Sequence, residues 1–230
     1  MSKRTHTLIA GLLVFITAGI LPAQDKEETQ ETKLVPITLK LPEPMFIGTP
    51  QNLGVERLEK PLGKPRPPFL APAGTENVAL NKPVTSSDDF PVIGEIEMVT
   101  DGDKEAMDGS FVELGPFKQQ VTVDLEARHT IYALVMWHFH KQARVYFDVI
   151  VQVADDAEFT KNVKTLFNND HDNSSGLGKG EDLHYVETAE GKLIDAKGVE
   201  GRYVRCYSNG NTNNDLNHWI ELAVYGKPVK

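Results

Sequence analysis

His138 and His140 stand one residue apart in "MWHFHKQARVYF", with Lys141 and Arg144 close behind. Side chains at i and i+2 of a strand leave the same face, so the two imidazoles can converge on one object. Three chemistries compete for them. They can open a zinc or copper site, which needs a third ligand such as Asp148 or His218. They can line the mouth of a ligand pocket, or they can be packed, hydrogen-bonded histidines where a buried strand surfaces. A second concentration of oxygen ligands lies in "NDHDNSSGLGKGED", where Asp170, Asp172 and Ser174 alternate and Glu181 falls at the twelfth place, as in an EF-hand loop. Ser175 takes the sixth place, where that loop needs glycine, and no helical periodicity flanks it. The segment therefore reads as a polar loop, with its own calcium or on a binding rim. Asn173-Ser174-Ser175 also fits a glycosylation acceptor. HExxH, GxSxG, Walker and paired-cysteine motifs do not occur. The expectation is a non-catalytic protein, with metal-dependent hydrolysis as the third-ranked reading.

The chain has 230 residues and a net charge of −9. Its opening, "MSKRTHTLIAGLLVFITAGILPAQ", sets Lys3 and Arg4 before an apolar run that ends at Leu21-Pro22-Ala23. That pattern predicts a signal peptide over residues 1–23, since the run is shorter than the roughly 20 residues that cross a bilayer. Export to the periplasm, cell surface or medium follows, with no membrane span after cleavage. Losing Lys3 and Arg4 takes the charge from −9 to −11. So acidic a surface argues against nucleic acid or anionic lipid as partner, and leaves calcium and neutral sugars open. Cys206 is the one cysteine, so it has no internal disulfide partner; the expectation is a small buried apolar group.

The elements that must position these residues divide by composition. Nine of the fourteen prolines fall within residues 24–73, which predicts an extended arm led by the polar "QDKEETQETK". Its apolar "ITLKL" and "MFIG" are expected to lie on the domain that follows. Residues 74–230 carry the signals of an all-β domain: "VTVDL" and "VYFDVIVQV" alternate, "RYVRCY" and "WIELAVYG" add two strands, and "IYALVMWHF" is apolar on both faces, as a strand covered on both sides should be. Gly, Asn and Asp clusters separate them. The predicted architecture is a β-sandwich of jelly-roll type with long loops gathered at its ends.

The order "NVALNKPVTSS", "VTDGD", "VTVDLE", "IYALVMWH", "YFDVIVQVADD", "GRYVRCYS", "NHWIELAVYG" resembles the discoidin or coagulation-factor type C domain of the galactose-binding-like superfamily, over about residues 75–226. Many bacterial carbohydrate-binding modules belong to that superfamily. The resemblance implies a structural calcium held by the Asp101 and Asp103 side chains, the Met98 carbonyl, the Glu221 side chain and the Ile220 carbonyl. Calcium takes six to eight such hard oxygens. Ala106 stands where the family often has threonine, and Asp108 is the available substitute. The resemblance also implies a sugar site on variable loops, drawing on His138, His140 and Arg144 from one loop and Asn211, Asn214, Asn217, His218 and Trp219 from another. The expected function is an exported glycan-binding module with structural calcium. An envelope protein that docks or adheres to another protein through its arm or a sandwich face is the alternative.

Overall fold

The alternation in "QVTVDL" sends Val121 and Val123 one way and Thr122 and Asp124 the other. The computed structural model, which describes residues 33–46 and 53–229, pairs the segment accordingly. Strand β6 (Gln119–Trp137) runs antiparallel to β9 (Lys192–Ser208), with Val121 opposite Cys206 and Val123 opposite Val204, all four fully buried. On the other face Arg205 donates to Thr122 Oγ1 at 2.8 Å, and Arg202 forks onto Asp124 at 2.7 and 2.8 Å.

At 19 and 17 residues, β6 and β9 exceed the usual strand length because each serves two layers. Their register slips between Asp124 and His129, where Glu126 has φ 65°, and again between Ile131 and Ala133, opposite Lys197 (φ 53°) and Gly198 (φ 75°). Such bulges bend a strand and sharpen its twist. Before the bend β6 pairs with β4 (Val84–Ser86), while β9 pairs with β7 (Ile150–Ala154), which carries β8 (Lys164–Asn168). After it β6 pairs with β11 (Glu221–Pro228), which carries β3 (Glu76–Asn77) at its edge. The two halves fold back on each other. Val121 and Val123 share one core with Leu134, Met136, Val151 and Leu222, which makes the molecule an all-β sandwich. Gly201 marks a crossing, since a Cβ there would lie 2.2 Å from Val153 Cγ1. A short sheet of β5 (Val112–Leu114) and β10 (Asn217–Trp219) and a 3-10 turn at Ile96–Thr100 complete the domain. No helix among the described residues is long and apolar enough to cross a membrane.

The two-faced "IYALVMW" finds a cover on each side. Leu134 and Met136 enter the central core, while Ala133, Val135 and Trp137 join Ala223 and Tyr225 in a second cluster onto which Ile37, Leu39 and Phe69 pack. The proline-rich arm thus lies on the outer face of the sheet, as "ITLKL" predicts. Its β1 (Leu34–Pro36) pairs with β2 (Leu70–Pro72), Tyr225 donates to Thr38 O at 3.1 Å, and Arg66 donates to Gly191 O at 2.7 Å and Glu190 O at 2.8 Å. Of "MFIG", Met45 and Phe46 line a cavity of about 780 Å³ against Tyr185 and Leu193; the rest lies outside the described residues, as do the signal peptide expected at 1–23 and the arm's first residues.

One strand is shorter than its pattern. The alternation in "VYFDVIVQV" predicts a strand from Val145, yet β7 begins at Ile150. Asp148 has φ 49°, and its carboxylate accepts Ser174 Oγ at 2.9 Å and Asn209 Nδ2 at 2.8 Å. Those bonds hold the chain out of the strand conformation, and Val149 and Ile150 are consecutively buried.

Candidate functional site

Register decides where the loops emerge. Ser208 lies opposite Gln119, Tyr207 and Asn168 opposite Ile150, and, after the fold-back, Glu221 opposite Trp137 and Lys192 opposite Met136. The connections 87–118, 138–149, 169–191 and 209–220 therefore gather at one end of the sandwich.

The two segments expected to share a rim do meet there. Thr212 N donates to Val145 O at 3.0 Å, and Asn213 Nδ2 donates to Gln142 Oε1 at 3.1 Å. Of the side chains singled out in the sequence, Asn214 is exposed on the rim and the others form the layer beneath it: His138, His140, Asn217 and Trp219 are 0% exposed, His218 and Asn211 are buried, and Arg144 is half-buried. Strand β6 ends at Trp137, so the two histidines do not share a strand face. His138 Nδ1 bonds Glu187 Oε1 at 2.7 Å and its ring stacks on Tyr146 at 4.3 Å, whereas His140 Nε2 donates to Lys104 O at 2.9 Å. His218 bridges Glu113 Oε2 at 2.8 Å and the Tyr146 hydroxyl at 3.0 Å. Burial, helped by the nearby Arg144 and His138, pushes its pKa down to about 3. Neutral His218 thus donates through Nε2 to the carboxylate and accepts the phenol proton at Nδ1. Burial also raises the Tyr146 phenol and the Glu113 carboxyl, the latter against the pull of Arg144. The Arg144 guanidinium lies 4.6 Å over Phe139. Asn211 donates to Asn214 Oδ1 at 2.7 Å and Leu216 O at 2.9 Å, closing its own turn.

The large apolar side chains that the rim offers to solvent were not singled out in the sequence. Phe90 is 87% exposed and Phe117 80% exposed, on neighbouring turns. Asp88 ties the turns together, accepting Phe90 N–H at 3.0 Å and Gly115 N–H at 2.9 Å. Their settings, "DDFPV" and "LGPFK", place an aromatic beside proline inside a turn signal, which is the trace a sequence reading could have used. Glu187 and Glu113 carried no such trace, because their histidine partners are 49 and 105 residues away.

Among the described residues, two places can be weighed for a cation. Asp148, Asp170 and Asp172 bring one ligand atom each within 4.8 Å of one another and can hold a metal ion; nothing in the trio selects calcium. At the set implied by resemblance, Glu221 is 0% exposed; its Oε2 accepts Gly102 N–H at 3.1 Å, and its Oε1 has no hydrogen-bond partner among the described residues. Burial pushes its pKa up to about 8, and Asp101 and Asp103 add to the rise. A buried acceptor without a donor fits a hard cation beside it. Ala106, fully buried, brings no hydroxyl, and Lys104 Nζ donates to Gly102 O at 2.8 Å, so an ammonium already sits on this loop.

No protein-family model matches the chain, and no curated protein matches it. Solved structures do. The family 32 carbohydrate-binding module of AlyQ in complex with 4,5-unsaturated mannuronic acid is 15% identical over 62% of this chain and 92% of its own, with a TM-score of 0.46. A fucose-binding module of Streptococcus pneumoniae is 16% identical over 65% of this chain and 97% of its own, at 0.45. Chitosan-binding module 1 from a chitosanase/glucanase of Paenibacillus sp. IK-5 is 19% identical over 66% and 99%, at 0.43.

Proposed function

We propose that the chain is a non-catalytic binding module, exported by its first 23 residues, whose loop end binds a neutral glycan. The observation that carries this reading is the pair of phenylalanine rings left almost wholly in water on turns that a single carboxylate ties together. A pyranose presents an apolar C–H face and a hydroxylated edge, so it can cover a ring while its hydroxyls bond amides exposed at the same loop end, such as those of Asn213 and Asn214. The buried layer of His138, Glu187, Tyr146, His218 and Glu113 serves as the floor that keeps the loops in place. Affinity electrophoresis in gels cast with galactan, xylan or β-glucan tests the reading. At least one polymer should retard the folded protein, and Phe90→Ala or Phe117→Ala should weaken binding about 10- to 100-fold, the loss expected for one ring's apolar contact. Free migration of folded wild type through every gel and silence on a broader glycan array would sink it.

Calcium belongs to the same proposal, held by Glu221 with Asp101, Asp103 and the Met98 and Ile220 carbonyls as a structural ion. A second reading, docking to another protein, draws on aliphatic side chains of the same connection: Val92, Ile93 and Met107 are 56%, 45% and 46% exposed. Sugar binding that survives their replacement by serine separates the two.

A further inference from the structure

Phe117 adopts a φ of 66°, a left-handed conformation that a bulky side chain avoids unless its surroundings impose it. The imposing groups are identifiable. The Gly115 residue is gripped on both sides of its Cα, its N–H by Asp88 Oδ2 at 2.9 Å and its carbonyl by Asn217 Nδ2 at 2.8 Å. The same Asn217 Nδ2 donates to Phe117 O at 2.9 Å. Its Oδ1 accepts Ser208 Oγ at 2.7 Å and Gly210 N–H at 2.9 Å, so both donors and both acceptor positions of this fully buried amide are engaged. Asp88 meanwhile accepts Phe90 N–H through Oδ1 at 3.0 Å. Gly115 admits this grip, since a Cβ there would meet Asp88 Oδ2 at 3.2 Å.

We infer that Asp88 and Asn217 are positioning residues, a two-sided clamp on the Gly115 backbone that sets Phe90 and Phe117 out from the loop end as one binding face. The inference rests on the glycan reading for its purpose, but the clamp itself can be tested without a sugar. Aspartate at 217 would face the Gly115 and Phe117 carbonyls with a carboxylate that has nothing to donate. In Asn217→Asp and Asn217→Ala the backbone NMR shifts and HN–Hα coupling of Phe117 should move from left-handed values to those of negative φ. Asp88→Ala, a change outside the core, should do the same and covers the case in which the Asn217 variants fail to fold. Unchanged Phe117 signals in the folded variants would overturn the clamp. Phe117→Gly, which suits a left-handed backbone, should raise the unfolding midpoint by roughly 2–4 °C; a lowered midpoint would likewise count against imposed strain.

Affinity electrophoresis in the three polysaccharide gels then tests the purpose. Asn217→Asp should weaken binding at least tenfold in the wild-type background and add nothing in Phe117→Ala. A residue acting only on stability would lower the midpoint equally in both and leave the affinity of the folded fraction unchanged; equal weakening in both backgrounds overturns the positioning role. A wild type that no gel retards and that is silent on the broader glycan array defeats the glycan reading, while the Phe117 signals still decide whether the clamp exists.

Discussion

His218 is a titratable side chain whose surroundings hold it neutral. With a folded pKa of about 3 against an ordinary value of 6.5, it binds no proton between those limits in the folded chain, whereas the unfolded chain does. Stability from this group is therefore complete above pH 6.5 and lost as pH falls through the window, by at most about 1.4 kcal/mol per pH unit. The slope of unfolding free energy between pH 6 and 4 should decline by up to one proton in His218→Asn; an unchanged slope would mean that His218 titrates normally. The same residue shows what a residue's type conveys and what it withholds. "NHWIE" marks His218, Asn217 and Trp219 as capable of ligand chemistry, yet their inward orientation depends on Glu113, Tyr146 and Gly115, which no local pattern ties to them. Phe90 and Phe117 are the converse: ordinary apolar residues by type, whose one local trace is an aromatic beside proline in a turn signal.

Elements were more legible than side chains, because periodicity is local and burial is not. The alternation of "VTVDL" and the two-faced "IYALVMW" carry the sheet's core directly, and the second even requires an outer cover, which Ile37, Leu39 and Phe69 supply. The start of β7 was hidden, since Asp148 is a plausible outward strand residue until Ser174 and Asn209 engage it from 26 and 61 residues away. The arm is a structural element of the sheet. Phe69→Ala should remove about 2 kcal/mol of packing and lower the unfolding midpoint by roughly 4–8 °C. A midpoint within a degree of wild type would show that the arm does not rest there in solution.

For the whole molecule, an ion that binds only the folded chain acts by mass action. Calcium at about 100 times its dissociation constant should raise the midpoint by roughly 5–10 °C. Glu221→Gln should abolish the rise, and Lys104→Ala, which takes an ammonium off the loop, should enlarge it. A calcium response that persists in Glu221→Gln and disappears in Asp170→Asn would move the ion to the acidic trio. The bent pair β6 and β9 has a different consequence, one of timing. The second half of β6 pairs with β9 along one edge, while its other edge waits for β11, whose pairing runs from Trp137 opposite Glu221 to His129 opposite Pro228, far along the chain. A nascent chain that has emerged as far as β9 can zip the first layer but must carry an apolar β6 edge unpaired until residues 221–228 are made. Pairings of such long range form slowly and leave an aggregation-prone edge in the interval. Synthesis stalled just short of Glu221 would leave that β6 edge uncovered.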